Sequence, residues 1–217
     1  SFFTSAGFLA YGNNLKVVRA VGANCYNAVA NTAALNTQIQ NETVFENTFL
    51  NQNNGWALGS FMARYPGGLG NSLTISVIDS SGDFPNWNVN GTGVSSYFTG
   101  APGTSDQGSA AGAVDDELHI VVVDTGGLFS GAKNTVLEVF PYVSKGSDAI
   151  DPLGNSNYYK NVVFNNSKYI YAVDPVKYSS THATWGTPLA DTAYAQSGVV
   201  TVSLSGGLDV TPEAGDL

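Results

Sequence analysis

Residues 61–79, FMARYPGGLGNSLTISVID, restrict the chain more than any other stretch, because two apolar runs there are joined by one rigid, glycine-rich corner. Pro66 fixes its own φ and biases Tyr65 toward extended backbone. Gly67, Gly68 and Gly70 permit left-handed or closely packed backbone that a Cβ would make costly. After the corner, Leu73, Ile75 and Val77 alternate with Thr74, Ser76 and Ile78, the two-residue period of a strand with one buried face. Arg64, Tyr65, Pro66, Gly67, Gly70 and Asn71 form the candidate structural motif. Arg64 is the member whose charge invites a partner, a carboxylate or an aromatic ring, and it is expected to brace the corner within one subunit.

Periodicity places elements elsewhere along the chain. Phe2, Phe3, Ala6 and Leu9 share one side of a short helix that Gly12 and Asn13 can close. Residues 15–21 read as a strand, 30–40 as a polar crossing, 42–50 as a helix with Val44, Phe45 and Phe49 inward, and 56–65 as the strand before the corner. Residues 118–123 are a continuous apolar run suited to a strand covered on both faces, with 136–143 beside it. Ser156 is a candidate N-cap for a helix presenting Tyr158, Tyr159, Val162 and Val163 inward, and residues 169–173 and 199–204 complete the strands. Between 80 and 113, Gly, Ser, Asn and Thr dominate and apolar periodicity disappears. That stretch reads as a surface excursion or small irregular hairpin subdomain, anchored by Trp87, Tyr97 and Phe98. The expected class is α+β: mixed, mainly antiparallel sheets with a few short helices.

Composition bounds the function classes. At 217 residues and 43% hydrophobic the chain can bury a substantial core without covalent staples. Its single cysteine, Cys25, excludes an intrachain disulfide and a multi-thiolate zinc site, and reads as a small buried apolar residue. No run approaches the length of a membrane span, so no membrane partner is expected. The net charge of −9 is uneven: residues 1–70 carry +1 and the remaining 147 carry −10. With 8 lysines and arginines in all, a groove tracking nucleic-acid phosphates is not expected.

Chemistry-bearing patterns are sparse. His119 and His182 are the only histidines, and no Gly-x-Ser-x-Gly elbow accompanies them. His119 interrupts the buried apolar run and reads as a hydrogen-bonded core or interface histidine, with a pH response as the alternative. Asp115, Asp116 and Glu117, and Asp148 with Asp151, offer oxygen ligands without EF-hand spacing and read as solvated charge. The corner glycines follow neither phosphate-binding spacing. No catalytic residue, cofactor or metal is assigned. Asn41, Asn90 and Asn165 head glycosylation-type triplets, which an Asn-rich chain acquires by chance.

The corner block resembles the strand–corner–strand motif of contractile-tail sheath proteins from myovirus-type bacteriophages. Residues 8–19 (FLAYGNNLKVVR) and 23–28 (ANCYNA) resemble the family's helix-to-strand lead-in. Residues 118–124 (LHIVVVD), 126–131 (GGLFSG) and 135–138 (TVLE) resemble its second hairpin. Residues 143–149, 156–160 and 167–170 resemble the loop and helix that follow, and 203–209 (SLSGGLD) its return toward the core domain. The resemblance omits about 80 to 113.

It implies tail-sheath protruding domains divided as follows: residues 1–34 a partial core-domain segment, 35–79 with 114–205 the protruding α+β domain, 80–113 an inserted excursion, and 206–217 a return toward core that is missing. The start without methionine and the polar end read as an excised fragment. The implied function is structural: a subunit that polymerises around the tail tube and contracts to drive it through the host envelope, in the virion tail after assembly in the host cytoplasm. The implied partners are other sheath subunits, with the tube and baseplate contacted through parts outside this chain, and the fragment itself is expected to be monomeric. Trp87, Tyr97, Tyr158 and Tyr159 amid polar residues suggest the alternative of a carbohydrate-binding or adhesive module, and a hydrolase using an acid pair is the third reading.

Overall fold

A computed structural model describes residues 2–15, 21–31, 36–50, 58–176 and 184–210. The strand expected at 15–21 falls largely outside these residues, as do His182, the start of the 56–65 strand and the last seven residues. The chain is α+β, with short helices and antiparallel pairing between all its strands.

Helix α1 (Phe2–Leu9) ends where the Tyr11 and Gly12 amides both donate to the Phe8 carbonyl. Helix α2 (Glu42–Phe45) starts at Asn41, whose side chain accepts from the Val44 amide, and widens into a π turn over Glu46–Leu50. Phe45 is fully buried and Phe49 packs against the same cluster, but Val44 points out. Strand β1 (Phe61–Ala63) leads into the corner, which tightens into a 3-10 turn at Gly68–Ser72 before strand β2 (Leu73–Ile78).

Strands β3 (Asn88–Val89) and β4 (Thr92–Gly93) form a two-residue hairpin over Asn90 and Gly91, both in the left-handed region that such a turn needs. Helix α3 (Asp106–Ala111) is capped by the Ser105 hydroxyl on the Gly108 amide and closed by left-handed Gly112. Strands β5 (Glu117–Asp124) and β6 (Thr135–Ser144), helix α4 (Tyr159–Asn166), strand β7 (Ile170–Ala172) and strand β8 (Val199–Ser203) follow.

The main sheet has the order β6-β5-β2-β8, and β1 pairs with β7 in a separate ribbon. On one face Leu73, Ile75 and Val77 join Leu118, Ile120 and Val122 beneath Tyr159 and Val163 of α4. Each such side chain contributes about 1.5–3 kcal/mol when fully buried. The other face is covered too, which differs from the one-sided pattern that β2 suggests. There Ile78, Val121 and Val123 lie under Trp87, Val89, Val94 and Phe98 of the 84–98 stretch. The polar residues of β2 are tolerated inside because each finds a partner. Trp87 Nε1 donates to Ser76 Oγ at 2.9 Å, Ser76 Oγ lies 2.8 Å from Thr201 Oγ1, and Thr74 Oγ1 lies 3.0 Å from Ser203 Oγ.

A second cluster fills the space between α2, the β1–β7 ribbon and α4, where the Phe45 ring stacks 3.9 Å from Tyr171. Helix α4 begins two residues later than a Ser156 cap would require. Its N-cap is Tyr158, which makes no capping hydrogen bond, while Ser156 Oγ accepts from Asn161 Nδ2. No helix among the described residues is long and apolar enough to cross a membrane.

Candidate functional site

The corner is a junction of three chain segments. Gly67 has φ +128, a conformation glycine tolerates and other residues rarely adopt, and its amide donates to the Tyr26 carbonyl at 2.9 Å. Tyr26 exchanges two backbone hydrogen bonds with Leu208, and Val29 exchanges two with Ser205, so residues 26–29 and 205–208 run antiparallel against the corner. The Asn71 side-chain amide grips the second segment at both ends, Nδ2 donating to the Gly207 carbonyl and Oδ1 accepting the Gly207 amide, each at 2.8 Å. Asp209 accepts the Gly68 amide at 2.8 Å. Gly70 sits where a Cβ would lie 2.6 Å from Ala63 Cβ and 2.9 Å from Ala28 Cβ. Pro66 and Gly70 are buried while Tyr65 is 58% exposed.

Arg64 turns away from the bend. Its Nη1 donates to the Phe164 and Ser167 carbonyls at 3.0 and 2.7 Å, satisfying the end of α4 where carbonyls lack helical partners. Its Nη2 pairs with Glu42 at 2.8 Å, and its guanidinium carbon lies 4.7 Å from the Tyr171 ring centre. The side chain therefore ties β1 to α2, α4 and β7 inside one subunit.

Asp124, at the end of β5, organises the loop beside the corner. It accepts from the Ser72 and Ser130 hydroxyls and from the amides of Gly127, Leu128, Phe129 and Ser130. Burial acts to raise its pKa, but the hydrogen bonds from Ser72, Ser130 and Phe129 overcome this and hold it at about 2. The loop so fixed presents Leu128, which is 59% exposed, and its amide also donates to Ser72 Oγ at 3.2 Å. Phe129 packs edge-on against Tyr169, with ring centres 5.2 Å apart.

Of the acidic residues expected as solvated charge, Asp148 is exposed, but Asp116 is a correction. Asp116 is not solvated: it is fully buried and accepts from the Ser105 amide, the Ser105 hydroxyl and the Ser144 hydroxyl at 2.8–2.9 Å. Glu117 accepts the Gly103 amide, and burial raises its pKa. Asp148 accepts the Leu189 amide, and Asp151 closes its own turn on Leu153 and Asn155. Among the described residues no group of three His, Cys, Asp or Glu side chains is placed to hold a metal ion. A groove between β6 and α4 is lined by one carboxylate, Glu138, beside Val139, Phe140 and Val162.

The least legible feature is a buried ion pair. Lys145 Nζ lies 3.0 Å from Asp79 Oδ2 with both side chains fully buried. Asp79 also accepts the Ser197 and Gly198 amides, and Lys145 donates to the Asp115 carbonyl at 2.8 Å. Burial lowers the lysine pKa while Asp79 acts to raise it. No local pattern announces the pair, because its members and their donors come from three distant stretches of chain. The aromatic platform suggested for carbohydrate is also not present: Trp87 and Tyr159 are 1% exposed, and of the four residues only Tyr97 stands out.

No family model matches the chain. Over 138 residues, 64% of its length, it is 33% identical to the tail sheath protein of Salmonella phage ViI. The matched part is 18% of that protein, so the chain spans about a fifth of its relative's length.

Proposed function

We propose that this chain is a part of a contractile tail sheath subunit, built into a helical sleeve around a rigid tube. The observation that carries the proposal is the 33% identity over 138 residues to a phage tail sheath protein. The fold supports it. Residues 26–29 and 205–208 are paired side by side on the corner, an arrangement compatible with residues 1–34 and 206–217 continuing into one neighbouring core domain. In this reading Pro66, Gly67, Gly70 and Asn71 are the rigid joint that fixes how the protruding part sits on that core, and Arg64 braces the strand that leads into it.

Contraction is then a rigid-body rearrangement between two packings of one folded unit, with energy stored in the lattice at assembly and no catalytic step or cofactor. The partners are other sheath subunits, with tube and baseplate reached through other parts of the protein. The location is the virion tail after assembly in the host cytoplasm. Tyr65 and Leu69 at the corner and Leu128 in the loop after β5 are each more than half exposed and are available for contact with a neighbour.

Negative-stain imaging of the full-length parent protein under assembly conditions tests the proposal. Striated tubes are expected, and their absence across salt and pH conditions that leave the protein folded would count against it. This chain alone is expected to sediment as a monomer, and spontaneous tubes from it would contradict the division into core and protruding parts.

A further inference from the structure

His119 is fully buried on the face of β5 that the 84–98 stretch covers, and it opposes an irregularity in the β5–β6 ladder. Leu118 pairs with Val143 and Ile120 with Phe140, so His119 faces both Pro141 and Tyr142, and Tyr142 is held at φ +51. A bulky residue in that region is strained, and its surroundings must offset the strain. The offset is visible. The Tyr142 backbone amide donates to His119 Nδ1 at 2.9 Å, and the Tyr142 hydroxyl lies 3.1 Å from Thr99 Oγ1.

The protonation state of the ring follows from its two backbone partners, neither of which has a choice of role. An amide N–H can only donate, so Nδ1 carries no proton. The Gly100 carbonyl, 2.9 Å from Nε2, can only accept, so Nε2 carries the proton. The imidazole is therefore neutral, and adding a proton at Nδ1 would set two donors against each other at the strained bulge. The Phe98 ring stacks on the imidazole at 4.4 Å, Phe84 meets it edge-on at 5.9 Å, and Phe98 also packs on Trp87 at 5.2 Å.

We propose that His119 is a proton-operated latch: when neutral it holds residues 84–100 and the Tyr142 bulge on the sheet, and when protonated it releases that cover. The partners of His119 lie on the cover and the bulge themselves, so losing the Nδ1 contact loosens both together. The titratable group facing it across the bulge is Tyr142. Glu117, two residues earlier on the same strand, is engaged by the Gly103 amide. Burial lowers the histidine pKa from its ordinary 6.5, and the Gly100 carbonyl on Nε2 opposes this. The closed form thus binds the proton less well than the open form. Its advantage is complete above about pH 6.5 and declines by up to tenfold per pH unit below it, until the closed-state pKa is reached.

Hydrogen exchange on this chain, corrected for intrinsic rates, is the test. Between pH 7 and pH 5 the protection of the Val94, Tyr97 and Phe98 amides is expected to fall, by up to about thirtyfold, while the β2–β5 ladder keeps its own. His119→Gln places an acceptor where Nδ1 stands and a donor where Nε2 stands, so its cover is expected to stay closed over that range. Glu117→Gln is expected to open like the parent. Unchanged cover protection at pH 5, or equal acid opening in His119→Gln, would overturn the proposal. Should His119→Gln fail to fold, NMR titration of the parent decides: a His119 ring that becomes charged while the Tyr142 amide stays protected overturns the latch equally.

Discussion

Replacing Gly70 by alanine tests whether the corner is a packed joint. The added methyl would lie 2.6 Å from Ala63 Cβ and 2.9 Å from Ala28 Cβ. Carbon atoms in contact settle at about 3.5–4.0 Å, so each approach is short by roughly an ångström. Neither neighbour can rotate away, because a Cβ moves only with its backbone. Relief therefore requires β1 and the segment at Ala28 to separate, and the Val29 bridges to Met62 and Ser205 resist that. Overpacking of this kind costs about 1–3 kcal/mol.

An opposing term exists: φ at Gly70 is not in the left-handed region, so alanine also stiffens the unfolded chain and returns about 0.4–1 kcal/mol. The net expectation is a loss of about 1–2 kcal/mol, a fall in Tm of roughly 2–8 °C for a chain of this size. Thermal and urea unfolding followed by circular dichroism measure it. Ala63→Gly, which removes the nearer methyl, should rescue part of the loss, giving a coupling of roughly 0.5 kcal/mol or more in a double-mutant cycle. A Gly70→Ala protein as stable as its parent, or two substitutions whose effects simply add, would refute the argument from close approach.

Asp124 supplies a pH prediction: its folded pKa of about 2 lies below the ordinary 3.8, so its contribution is complete above about pH 4 and is lost as pH falls toward 2. The difference corresponds to about 2 kcal/mol, and Asp124→Asn should lose about that much at pH 7 and little at pH 2, as read from urea midpoints. Arg64→Met removes a charged donor from the Phe164 and Ser167 carbonyls and should cost about 1.5–3 kcal/mol, with a loss of exchange protection centred on the end of α4. Lys145→Met strands Asp79 in the interior and should cost about 3–5 kcal/mol, whereas Asp79→Asn combined with Lys145→Met should cost less than Lys145→Met alone. Equal losses in those last two proteins would mean that the cation is held by packing and not by its counter-charge.

The local elements were legible in the sequence for a definite reason. A strand repeats every two residues and a proline–glycine corner has few conformations open to it, so β2, β5, β6, β8 and the bend between β1 and β2 followed from neighbours along the chain. Local pattern also found Arg64, Gly70 and Asn71, but not what they touch. Arg64 binds carbonyls one hundred residues away and Asn71 clasps Gly207. The 84–98 stretch lacked periodicity because Trp87, Val89, Val94 and Phe98 come from turns and a two-residue hairpin, which repeat nothing.

Which residues become neighbours across the chain was decided by tertiary packing. It placed Lys145 against Asp79 and stacked Phe98 on His119. Backbone geometry acts over a few residues and leaves its period in the sequence. The burial of a charge depends on segments that meet only after folding, and so it leaves none.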